Sequence, residues 1–159
     1  MAKTIVQDAP KRQWPELLRA SLVGLGTGLA HWLLGVVLNR YVVEPSACRE
    51  ITDGLQCAQA PMLSSDIAGV LVAGAALVVF ILLRQTRPIV IVAASLALLW
   101  GVKGFVYGLP WWGELLAFVL LYGLTYVTFG WINKATRLLG AIVLAVLLVL
   151  IARLVLLVG

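Results

Sequence analysis

The chain has 159 residues, 62% of them hydrophobic and 12% charged, whereas soluble domains carry roughly 25% charged side chains. With a mean hydropathy of +1.04, these proportions exclude an ordinary soluble domain and point to a single integral membrane domain over residues 1–159. The formal charge of +5 does not indicate nucleic-acid binding, because the cations stand in short clusters at the ends of apolar runs and are not interleaved with base-stacking aromatics.

A spanning helix needs about 20 mostly apolar residues. Five windows qualify, at about 17–38, 67–83, 88–107, 115–132 and 138–158. The period-two alternation of a membrane β-barrel is absent from them. The expected fold is therefore an all-α bundle of five transmembrane helices. Lys3, Lys11, Arg12 and Arg19 precede the first span, Arg84 and Arg87 separate the second from the third, and Lys134 and Arg137 separate the fourth from the fifth. The positive-inside rule makes these regions cytoplasmic, which puts the N-terminus inside and the C-terminus outside a bacterial-type inner (plasma) membrane.

The first apolar run is too long for a signal-peptide core and reads as a retained signal anchor. Ala20, Gly24 and Gly28 recur every fourth residue and so share one helix face. Small residues at that spacing let a second helix approach closely, whether within the chain or in an oligomer. His31, the single histidine, lies about 18 Å beyond Arg19 by helical rise, slightly past mid-membrane. It reads either as a neutral imidazole bonded to a neighbouring helix or as a polar functional group.

The longest polar stretch, 40–66, carries Arg40 and Arg49 against Glu44, Glu50, Asp53 and Asp66, the opposite charge bias to the cytoplasmic clusters. It is expected to be an outer loop. Both cysteines of the chain, Cys48 and Cys57, fall here, and in an oxidising compartment their spacing predicts a structural disulfide. It is not the CxxC pair that membrane disulfide oxidoreductases use.

Asp66, following Ser64 and Ser65, is expected to cap the second span. In the third, Ala93, Ala97 and Gly101 form another small-residue stripe, and Lys103 lies about 24 Å beyond Arg87, close enough to the outer surface to snorkel. Tyr41, Tyr107, Trp111 and Trp112 suit an outer aromatic belt, with Trp14 and Trp131 in the inner one. Glu114 opens the fourth span, where Tyr122, Tyr126 and Phe129 share a packing face. The fifth span has one charge, Arg153.

His31, Lys103 and Arg153 fall at similar depth in the outer half, with Asp66 and Glu114 at the outer ends of their spans. They suit either an outward-facing polar vestibule for an anionic headgroup or solute, or interhelical pairing of Lys103 with Glu114 or Asp66. No HExxH, Walker A or GxSxG motif is present, and no catalytic, cofactor-binding or metal-ligating set is assigned. Negative chemistry combined with small-residue faces leads first to an accessory or stabilising subunit of a membrane assembly. The alternative is an oligomeric small-solute or ion transporter using the vestibule, and an enzyme acting on lipid headgroups ranks behind both. The expected partners are the lipid bilayer and another membrane protein or further copies of the chain, not nucleic acid.

Overall fold

The computed structural model describes residues 14–48, 54–85, 87–135 and 138–158. Helix α1, Trp14–Leu38, runs on through a π-helical turn, Asn39–Val43, into the short α2, Glu44–Ala47. There follow α3, Gly54–Leu82; α4, Pro88–Leu99; α5, Val102–Val106; α6, Trp111–Ala135; and α7, Leu138–Val158. The described residues form helices and turns, with no strand. Three helical stretches among them are long and apolar enough to cross a membrane: Leu17–Ala47, Cys57–Leu82 and Trp111–Asn133. Pro88–Leu99 and Ile142–Ile151 are shorter apolar helices.

The burial pattern is compatible with a chain in lipid. Leu18, Leu22, Leu82, Leu124, Leu150 and Ile151 point outward, while Thr27, His31, Ser64, Ser65, Ser95 and Thr125 are buried. In water, so much exposed apolar surface would drive association. In a bilayer it is the inexpensive face, and polar groups belong between helices.

Helix α1 lies between α6 and α3, α4 packs on α3 and α6, and α7 rests outside on α4 and α6. The α1–α6 contact is nearly backbone to backbone. A Cβ on Gly24 would stand 2.9 Å from the Tyr122 carbonyl oxygen, and one on Gly28 would stand 2.5 Å from that of Phe118. Ala20, fully buried, ends the stripe against Gly130. Phe118, Tyr122, Tyr126 and Phe129 fill the interior on α6, and Tyr126 stacks on Phe80 of α3 with ring centres 5.5 Å apart. The second stripe has different surroundings. Ala93 and Ala97 are exposed beside an apolar groove toward α7, and Gly101 faces open space.

Two expectations are corrected. Asp66 does not cap a helix, since α3 begins at Gly54 and Asp66 lies well inside it; most of the described part of the supposed 40–66 loop is helical. Pro61 within α3 removes one backbone hydrogen bond, but Ala60, Ser64, Ser65 and Ala68 are buried around it, and that packing carries the helix through. The third span is also not one helix over 88–107. It breaks at Trp100, where ψ is 127°, and at Gly101, where φ is +74°, a left-handed value that glycine adopts without a Cβ penalty. Hydropathy stays high across the joint, which hides it from a window count.

Cys48, just after α2, and Cys57, in the first turns of α3, are joined by a disulfide. Alkylation of the folded protein without reductant is expected to label neither cysteine, and reduction should cost about 2–3 kcal/mol of stability by loop entropy. Gly28→Ala forces its Cβ onto the α6 backbone and should destabilise by about 1–3 kcal/mol. Gly26→Ala, with nothing within 4 Å, should not destabilise. Thermal unfolding of the two variants in the same detergent separates these outcomes.

Candidate functional site

His31 sits where three helices meet, only 3% exposed. Its Nε2 lies 2.8 Å from the Ser65 carbonyl oxygen and 3.1 Å from Ser65 Oγ on α3, and its Nδ1 lies 2.5 Å from the Tyr122 hydroxyl on α6. The ring stands edge-on to Phe118, centres 4.8 Å apart. Gly69 makes room on the α3 side, where a Cβ would lie 3.2 Å from His31 Cε1.

The partners decide the proton positions. A carbonyl oxygen only accepts, so Nε2 carries hydrogen and donates to Ser65; in the neutral ring Nδ1 then accepts from the Tyr122 hydroxyl. This tautomer has its lone pair on the side away from Ser65. The close Ser65–His31 approach is therefore not a nucleophile–base dyad as it stands, because the ring has no free nitrogen to take the Ser65 proton. What the arrangement does is hold an imidazole between helices with both nitrogens satisfied, which removes the cost of an unpaired polar group in the protein interior.

From His31 toward the disulfide, the helices part around a cavity of about 740 Å³. His31 and Trp32 of α1, Asn39 and Arg40 of the π turn, Glu44 and Pro45 of α2, Pro61, Ser64 and Ser65 of α3, Lys103 of α5 and Phe118 of α6 are among its walls, and Cys48 ties its rim. Lys103 Nζ forms an ion pair with Glu114 Oε1, the two side chains 17% and 13% exposed. The Trp32 indole donates to the other Glu114 oxygen at 3.2 Å. Glu114, in the first turn of α6, thus neutralises Lys103 and fixes Trp32 at once. Arg40 and Glu44 are exposed, and neither forms an ion pair among the described residues. Asn39 Oδ1 is buried without a hydrogen-bond partner.

Of the five residues expected around a vestibule, the structure brings His31 and Lys103 to the cavity and puts Glu114 behind Lys103. Asp66 follows Ser65 on α3, half-buried and outside the cavity lining. The Arg153 side chain lies outside the described residues. Sequence reasoning missed the two anchors of His31, Ser65 and Tyr122. It also counted Arg40 and Glu44 only as loop charges and passed over Asn39. Tyr122 is two helical turns past Glu114, on the same face of α6, and that spacing was the available signal. Nothing in the sequence marks the π turn, a form that recurs at functional sites. No group of three or more His, Cys, Asp and Glu side chains suited to a metal ion occurs among the described residues.

Comparison with known proteins returns no match to a family model, to a curated protein or to a solved structure.

Glu114→Gln leaves the Lys103 ammonium without its counter-charge in a mostly buried place. We expect a loss of about 2 kcal/mol, below the 3–5 kcal/mol of a fully buried pair. The double variant Lys103→Met, Glu114→Gln should be less destabilised than the sum of the two single variants, as read from unfolding midpoints in detergent.

Proposed function

We propose that the chain is a five-span membrane protein, N-terminus in the cytoplasm of a bacterial-type inner membrane and disulfide end outside, whose outer vestibule binds a small polar solute or headgroup carrying an oxyanion, as the binding step of transport. The observation that carries this reading is the cavity of about 740 Å³ with His31 at its floor and Arg40 and Lys103 on its walls. Concave sites with a few convergent polar groups on otherwise apolar walls are where small ligands bind. The five spans follow if α4 and α5 together form one jointed crossing and α7 another. Just past the joint, Lys103 on α5 lines the cavity. The paired cysteines suit an oxidising outer side.

A second reading, the accessory subunit, draws on a different feature. An apolar groove of about 400 Å³ runs between α4 and α7, bordered by Ala93, Ala97 and Ala145, and small residues are what a partner's membrane helix packs against.

Native mass spectrometry of the protein extracted in mild detergent distinguishes the two. The vestibule reading expects a co-purifying small molecule or lipid that is lost from an Arg40→Gln variant of unchanged thermal stability. Retention of the same species by Arg40→Gln, or no bound species together with no thermal shift from phosphate, sulfate or carboxylates, removes that reading. A stable hetero-complex broken by bulky substitution at Ala93 or Ala97 would put the accessory role first.

A further inference from the structure

We infer that the vestibule is built for a zwitterion, a ligand with a primary ammonium and an oxyanion a few bonds apart, an inference that rests on the vestibule being a binding site. Three cavity residues carry charge: Arg40, Glu44 and Lys103. Lys103 is already neutralised by Glu114. What remains is one cation and one anion on the same wall, Arg40 in the π turn and Glu44 at the start of α2.

Opposite charges four residues apart on an α-helix normally lie within reach of each other. Here they form no ion pair, and the Arg-before-Glu order is the less favourable direction for such a pair. A guanidinium and a carboxylate thus stand unpaired with each other at the edge of one cavity, each available to a ligand.

A bare oxyanion would satisfy Arg40 and face repulsion from Glu44; a bare amine would satisfy Glu44 and face Arg40. A zwitterion meets both charges. Its oxyanion is taken by the planar guanidinium fork and its ammonium by the Glu44 carboxylate. Trp32, Val36 and Phe118 below offer apolar surface for attached hydrocarbon. The same head chemistry belongs to free amino acids and phosphoethanolamine and to the phosphoethanolamine headgroup of a lipid.

The full chain in nanodiscs of phosphatidylglycerol alone, titrated calorimetrically, tests the pairing. Phosphoethanolamine or leucine should bind at least about tenfold more tightly than inorganic phosphate or ethanolamine, each of which carries one half of the charge pair. Glu44→Gln should erase the preference over phosphate, and Arg40→Gln should abolish binding of both zwitterion and phosphate. Both residues are exposed, so these variants should keep the wild-type melting temperature. In a parallel arm, native mass spectrometry from mixed lipid tells whether phosphatidylethanolamine is retained over phosphatidylglycerol. Retention identifies the lipid as the source, and binding of the soluble zwitterion without retention identifies a free solute; either supports the inference. Phosphate binding as tightly as the zwitterions, unaffected by Glu44→Gln, overturns the inference while the vestibule reading stands. Absence of all binding overturns both.

Discussion

The close approach of α1 to α6 sets the rest of the structure. Two helices in lipid gain nothing from hiding apolar surface, since the surrounding chains are equally apolar, so contact has to come from tight packing and hydrogen bonds. Gly24 and Gly28 supply the packing by removing the side chains that would hold the α6 backbone off. Once the helices touch there, His31, three residues past Gly28, falls against Phe118 and Tyr122, and Trp32 comes within hydrogen-bond range of Glu114. A Cβ at position 28 therefore disturbs more than one contact. It pushes apart the two elements on which the floor of the cavity is built.

Satisfying polar groups then closes the junction. A histidine in the membrane interior is costly unless both nitrogens are used, and α3 provides the second partner through the Ser65 carbonyl. The three longest helices are joined at one ring. This also explains why the polar cluster is sited here rather than along the apolar outer sides, with His31 serving as a bonded neutral imidazole between helices.

Hydropathy and charge read the chain well where one physical term dominates. The runs at 17–38, 115–132 and 138–158 fall within helices whose ends lie within a few residues of those windows, the cysteine spacing pointed to the bond that is present, and the four-residue spacing of Ala20, Gly24 and Gly28 marks a face that meets α6. Reading fails where terms compete. Residues 54–66 are polar and proline-bearing, with loop-like composition, yet tertiary packing around Ala60, Ser64 and Ser65 makes them helix. Trp100 and Gly101 sit inside an unbroken apolar run, so the joint depends on two backbone angles, ψ of Trp100 and φ of Gly101, that hydropathy does not register. The partners of His31 are 34 and 91 residues away in the chain, and no local pattern reports a contact at that separation.

The cavity has walls of two kinds, and the difference decides which charges a ligand meets. Its floor belongs to the rigid junction of α1, α3 and α6. The wall bearing Lys103 is the five-residue α5, flanked by Gly101 and Gly108 at φ of +74° and +91°, too short to hold its place by its own hydrogen bonds. Burial of Val102 and Val106 and the bond to Glu114 keep it against the bundle. Lys103 is thus committed to the architecture, since its ammonium secures a jointed segment to α6. The wall formed by the π turn and α2 carries the opposite arrangement. Tied to α3 through the Cys48–Cys57 bond, it does not rely on its charged side chains to stay in position, and Arg40 and Glu44 are left for the cavity. The basic character evident from Lys103 alone gives way to a balanced pair of opposite charges, Arg40 and Glu44, on the cavity lining.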